Sequence, residues 1–206
     1  MKGKVGIYVD AVNVTMNGGF GLRYDVLRKF ACRDGMTPSR MNVYLAFDER
    51  RAEEDPDYKN KTTRFSEVLR DFEYKVIKKP VQYYRDTETD EIITKSTVDM
   101  DMAVDMITQA DDMDKLVLLT NNGSYVSVVD AVQRKGTRVE LVGFDDMSWA
   151  TALNPPLTAV RQPGFELGAT AVELLLKRLS NPSRPISNTV LQPELIVRES
   201  CGGVVG

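Results

Sequence analysis

The chain has 206 residues, 42% hydrophobic and 28% charged, enough to bury a sizeable core beneath a soluble surface. It contains no histidine, which excludes Ser-His-Asp and Cys-His catalysis, imidazole bases and histidine-ligated zinc. Its two cysteines, Cys32 and Cys201, cannot build a four-thiolate zinc site, and a net charge of −3 predicts no broad attraction to nucleic acid.

In chain order, strand and helix signals alternate through residues 1–143. Val5 to Val9 is an apolar run ending at Asp10, the pattern of a buried parallel strand. Tyr24 to Arg33 reads as a helix with Leu27, Phe30 and Ala31 on one face, and Met41 to Phe47 as the second strand. Thr62 to Phe72 is a helix with Phe65, Val68, Leu69 and Phe72 at helical spacing, and Tyr74 to Ile77 begins a third strand. Val81 to Arg85 and Glu91 to Lys95 flank a polar segment and predict a hairpin. Val98 to Ala110 is the next helix, Lys115 to Thr120 the most apolar strand, Tyr125 to Lys135 a helix closed by Gly136, and Arg138 to Gly143 a fifth strand.

After Gly143 the composition shifts. Asn154-Pro155-Pro156 breaks the pattern, Leu157 to Arg161 reads as a short strand, and Phe165 to Leu179 as an amphipathic helix. Thr189 to Arg198 is extended, interrupted by Pro193, and Gly202 to Gly206 reads as a frayed tail. The expected fold is α/β: a three-layer, mostly parallel sheet with helices on both faces, Rossmann-like, with a C-terminal α/β extension packed on it. No apolar run approaches the ~20 residues that span a bilayer, and Met1 to Lys4 leads straight into a strand rather than a signal-peptide core. No membrane partner and a reduced, cytoplasmic setting are expected.

Parallel sheets bind ligands beyond the carboxyl ends of their strands. Asp10 stands at such an end, with Asn13 three residues on. Asp99 and Asp101 lie near a helix start, with Asp105 about one turn beyond Asp101. Carboxylates gathered at one edge repel unless a cation neutralises them, which points to Mg²⁺ or Mn²⁺ and to activation of water against a phosphodiester. The same aspartates also suit helix N-termini, so a capping role stays open. Basic clusters from Lys59 to Arg64 and from Lys75 to Lys79 read as solvated faces or as phosphate contacts.

Residues 4–143 resemble an NYN domain of the LabA-like group, a branch of the PIN-like nuclease fold. The resemblance rests on Gly6-Ile7-Tyr8-Val9-Asp10-Ala11-Val12-Asn13 and on Lys95-Ser96-Thr97-Val98-Asp99-Met100-Asp101-Met102-Ala103-Val104-Asp105-Met106. The Leu118-Leu119-Thr120 strand end, with helix, Gly136 and strand after it, completes the match. It implies a Mg²⁺- or Mn²⁺-dependent ribonuclease site, with Asp10, Asp99 and Asp105 as catalytic metal ligands, Asn13 beside the first, and RNA as partner. Where the family usually has Ser-Gly-Asp-x-Asp-Phe, this chain reads Thr120-Asn121-Asn122-Gly123-Ser124-Tyr125. Both acidic positions are neutral, so Asn122 and Ser124 are expected as weak substrate contacts in a crippled or inactive site.

The remainder resembles a different family. Gly143-Phe144-Asp145-Asp146, the stretch from Asn154 to Pro163, Glu166-Leu167-Gly168, Ala171 to Leu176, and Leu191 to Cys201 are similar to the C-terminal end of LacI-type repressors. There the segment belongs to the effector domain, and the first aspartate of Gly-Phe-Asp-Asp touches the small ligand; Asp145 holds that position. The two resemblances together imply a chimera, 1–143 joined to a fragment over 144–206, with no DNA-binding headpiece. The fragment's helix is expected to lie on the sheet and bury Leu174 to Leu176 with Leu179, since an exposed stripe would invite association into a homo-oligomer. Three functions follow: a weakened metal-dependent ribonuclease, a non-catalytic binding or assembly module (or a chimera with no evolved function), and a small-ligand sensor built on the repressor-like segment.

Overall fold

The computed structural model describes residues 2–16, 22–87 and 89–202. Its strands are β1 (Lys4–Asp10), β2 (Thr37–Phe47), β3 (Lys75–Pro80), β4 (Gln82–Arg85), β5 (Ile92–Lys95), β6 (Lys115–Leu119), β7 (Arg138–Phe144), β8 (Thr158–Arg161) and β9 (Glu194–Ile196). Its α-helices are α1 (Ala11–Met16), α2 (Tyr24–Ala31), α3 (Glu49–Glu54), α4 (Pro56–Asp71), α5 (Val98–Gln109), α6 (Val126–Arg134) and α7 (Gly164–Ser180). Seven strands form one sheet in the order β3-β2-β1-β6-β7-β8-β9, parallel except for β9, and β4 and β5 pair as the expected hairpin. The fold is α/β and mostly parallel, as the alternation of signals predicts.

The strands at the centre are apolar on both faces because helices cover both. On one side Val5, Ile7 and Val9 pack with Leu27 of α2 and Phe65 and Leu69 of α4. On the other, Tyr8, Leu116 and Leu118 pack with Met102 and Met106 of α5 and Val132 of α6. β1 shows this most plainly, with every residue from Val5 to Asp10 buried.

Several elements differ from the reading of the sequence, each for a local reason. α1 and α3 are additional short helices, and α3 is capped by Asp48, whose carboxylate accepts from the Arg51 N–H at 3.0 Å. α4 begins at Pro56, ahead of the expected Thr62, because Asp55 caps it through the Tyr58 N–H at 3.0 Å and proline suits the first turn. β2 starts at Thr37 and tolerates Pro38 near its first residue, where the missing N–H costs least. Gly136 closes the helix before β7 with φ +91, as expected of a C′ glycine. The extended stretch 189–198 contracts to β9, and residues 203–206 lie outside the described residues.

The largest correction concerns the C-terminal segment. It joins the first part through strands, β8 pairing in parallel with β7 and β9 antiparallel with β8, and Val160 and Cys201 enter the main core. α7 does not lie on the sheet: none of its residues is buried, Leu175 and Leu176 are exposed, and Leu179 is 68% exposed. The strand that extends the sheet beyond β8 is β9, not a covering helix.

Candidate functional site

The chain runs outward from β1 through β2 to β3, then returns to the other side of β1 as β6, β7 and β8. The order of strands therefore reverses between β1 and β6, and at such a switch point the helices diverge and leave a crevice beyond the strand ends. Asp10 closes β1 there, 1% exposed, and Thr120 follows β6. The Thr120 hydroxyl donates to Asp10 Oδ2 at 2.7 Å, joining the two strand ends. Asn13 donates twice, its N–H to Asp10 Oδ1 at 3.1 Å and its Nδ2 to Oδ2 at 2.7 Å. Asp10 is thus a carboxylate fixed by three donors and capping α1.

Asp99 enters from the first turn of α5. Tyr125, buried at the start of α6, donates its hydroxyl to Asp99 Oδ1 at 3.3 Å. Burial, and then the negative charge of Asp10, raise the Asp99 pKa above the ordinary carboxylate value, while the Tyr125 hydrogen bond pulls it down. Burial and the same two carboxylates raise the Tyr125 phenol, which keeps it a proton donor. Among the described residues no Lys or Arg forms an ion pair with Asp10 or Asp99. Asp101, one position past Met100, is neutralised by Lys79 at 2.8 Å.

Asp105 is placed elsewhere. Its Oδ2 accepts from the Tyr44 hydroxyl at 2.6 Å, and Tyr44 in turn accepts from Asn42 Nδ2 at 3.1 Å and stacks on Tyr8. Six residues along a helix is about 9 Å of rise and about 120° of rotation, so Asp105 sits below the crevice, flanking the opposite side of the Met102 stripe from Asp99. Among the described residues no three acidic or cysteine side chains are grouped so as to hold a metal ion. Of the three expected carboxylates, Asp10 and Asp99 are electrostatic neighbours, and Asp105 is bonded to Tyr44 instead.

Asn122 and Ser124 line the next stretch. The Asn122 N–H donates to Thr120 Oγ1 at 3.0 Å, and its side-chain oxygen accepts from the Ser124 N–H at 3.0 Å, capping the turn Gly123–Tyr125. Asn121 is tied to Phe144 of β7 by both ends of its amide, at 2.5 and 2.7 Å. Asp145, in the left-handed region with φ 72, has Oδ1 held by Gln162 Nε2 at 2.5 Å. Thr120 and Tyr125 are site residues that residue patterns alone do not single out, because their roles depend on partners distant in sequence.

A divalent cation is compatible with this donor set in a reduced form. Mg²⁺ is commonly held by one or two carboxylates with water and substrate phosphate making up the rest. Two uncompensated carboxylates at one edge, one of them raised in pKa by the other, supply that minimum, and the neutral oxygens of Asn122 and Ser124 add no charge.

Comparison with known proteins supports both resemblances read from the sequence. The NYN domain family matches residues 4–156. The ribose operon repressor of Haemophilus influenzae is 40% identical over 79 residues, covering 36% of this chain and 24% of that protein. The HTH-type transcriptional repressor PurR of Vibrio vulnificus is 29% identical over 103 residues, covering 48% and 31%. The chain thus spans between a quarter and a third of the length of these relatives. A Vibrio parahaemolyticus protein of unknown function has a similar solved structure, with a TM-score of 0.50 and 22% identity, covering 69% of this chain and 82% of that one. A LacI-type regulator from Alkaliphilus metalliredigens, solved with D-xylulofuranose, aligns at a TM-score of 0.44 and 19% identity, covering 89% and 62%. Among the described residues no helix is long and apolar enough to cross a membrane.

Proposed function

The chain belongs to the NYN domain family, a PIN-like nuclease family, and from that premise we propose that it holds single-stranded RNA at Asp10 and Asp99 with most of its cleaving power lost. The observation that carries this reading is the pairing itself: two carboxylates at the switch point of the sheet, coupled to one another, with no ion-pair partner among the described residues. Capping of α1 accounts for Asp10, but burial and the Asp10 charge both oppose a charged Asp99 beside it.

Asp10 and Asp99 would hold a Mg²⁺ or Mn²⁺ ion, which when bound supplies a Lewis acid and lowers the pKa of water at the phosphodiester. The protein's own contribution is positional. Asn13 and Thr120 fix both oxygens of Asp10, Tyr125 orients Asp99, and the turn at Asn122 and Ser124 lines the approach. With Asn122 and Ser124 neutral, the edge lacks two of the charges that the family pattern places there, so affinity for the cation depends more on phosphate supplied by the RNA.

The test compares the parent chain with Asn122→Asp/Ser124→Asp in Mg²⁺-dependent cleavage of single-stranded RNA. The double variant is expected to cleave on the order of 10²-fold faster or more, the scale of restoring one electrostatic group. Equal rates would refute the weakened site. A variant that binds RNA but never cleaves would replace this reading with a non-catalytic binding module. The loop between β7 and β8 favours a second reading, small-ligand binding beside Asp145, because it walls a cavity there.

A further inference from the structure

That cavity has a volume of about 580 Å³, within the size range of small-molecule sites, and opens at the carboxyl ends of β6 and β7 between α6 and the loop before β8. Its walls are Leu141, Leu157, Tyr125, Val129, Met147 and Trp149. Met147 and Trp149 are 51% and 54% exposed, a cost that an occupant would relieve. Thr120, Asn122 and Tyr125 line the cavity and also belong to the acidic edge, so the two sites share a wall.

We infer that this cavity takes an uncharged nucleobase, the ring next to a phosphate that a divalent cation would bridge to Asp10 and Asp99; the strand context rests on the functional reading above. Three features select that chemistry. The polar groups on the rim are largely engaged within the protein: the Asn121 amide bonds Phe144 at both ends, Thr120 bonds Asp10 and Asn122, the Asn122 oxygen caps Ser124, and Asp145 holds Gln162. A sugar, which needs many hydrogen-bond partners, finds few, whereas a flat ring needs only apolar and aromatic faces. The charged lining residues are Asp130 and Asp145, with no Lys or Arg, so a phosphate is repelled from the interior; the acidic edge would accept one only through a divalent cation held there. A base with exocyclic amino groups is the neutral ring that an acidic rim favours.

Trp149 is the only tryptophan, so its fluorescence reports on the cavity directly. Adenosine and cytidine, titrated into the full chain without metal, are expected to quench it saturably, and ribose at the same millimolar concentrations is not. By isothermal calorimetry, Trp149→Ala is expected to weaken nucleoside binding about tenfold, the scale of one lost stacking partner, and Met147→Ala by less. Asp99→Asn should remove the Mg²⁺ dependence of RNA binding. Ribose binding equal to adenosine, or no nucleoside binding at all, overturns the inference. Nucleoside binding without any Mg²⁺-dependent RNA binding supports the pocket and refutes the functional reading instead.

Discussion

Asp99 carries its charge where burial and Asp10 both oppose it, and the Tyr125 hydroxyl offsets only part of that cost. Its pKa is raised in the folded chain, so folded protein keeps a proton that the unfolded chain releases. The parent therefore loses stability as pH rises from the ordinary carboxylate range through the raised folded value. Asp99→Asn removes this loss: it is expected to stabilise the protein at about pH 7.5 by about 0.5 kcal/mol, a small figure because the side chain is only partly desolvated, much of it still facing and screened by water. The gain should vanish at about pH 3.5, where the carboxylate is protonated in both states. Urea unfolding at the two pH values measures it, and no gain at neutral pH would mean the two charges do not crowd one another. Asp105 gives the complementary case. Asp105→Asn weakens the acceptor of the Tyr44 hydroxyl and should cost about 1 kcal/mol, while the thermal shift induced by Mg²⁺ persists; Asp10→Asn should abolish that shift. Asp10 and Asp99 were legible in the sequence because a strand end and a helix start bring them to one edge. Asp105 was not, because six residues turn a helical side chain away from its partner, and the hydroxyl that claims it lies on β2.

α7 shows the same limit at the scale of an element. Its 3.6-residue pattern fixes the helix over Gly164–Ser180, but pattern says nothing of what lies opposite the apolar face, and here no residue of the helix is buried. The strands behaved differently. β1 and β6 read correctly because a continuous apolar run suits a strand covered on both sides, and β8 reads correctly although it lies across the junction of the two resemblances. The energetics of the segment should follow that division. The triple change Phe165→Ser/Leu175→Gln/Leu179→Gln alters side chains that are 86%, 57% and 68% exposed, so unfolding free energy should stay within about 0.5 kcal/mol of the parent. Sedimentation at high protein concentration should show less self-association, since the apolar stripe is then gone. By contrast Val160→Ala on β8, 5% exposed and packed in the main core, should cost about 2 kcal/mol. A larger loss from the helix change than from Val160→Ala would place α7 against the sheet after all.

Across the whole molecule the two parts share one sheet, and Arg33, paired with a buried carboxylate of the first part, also reaches the second. Glu140 of β7 is 1% exposed, and its Oε1 lies 2.9 Å from Arg33, 3.0 Å from Arg138 and 3.5 Å from Lys115, itself buried at the start of β6. Arg33 also donates to the carbonyl of Cys201, so the network reaches from the end of α2 to the last described turn of the chain. Burial, together with Arg33 and Arg138, lowers the Lys115 pKa, and Glu140 raises it back. Glu140→Gln removes the one anion among three cations and should cost about 3 kcal/mol, the scale of a broken buried pair. The sign with pH is set by Lys115. A buried lysine with a lowered pKa binds fewer protons folded than unfolded, so the variant should recover stability as pH rises through the folded value, and more steeply than the parent. Because β7 pairs with β6 on one side and β8 on the other, the loss should not split the transition. Trp149 fluorescence, which reports on the segment after β7, and far-ultraviolet circular dichroism, which reports on the whole sheet, should fall together at the lower midpoint. Two separated transitions would show that the sheet unfolds as two units, with the junction after Phe144 as a true domain boundary.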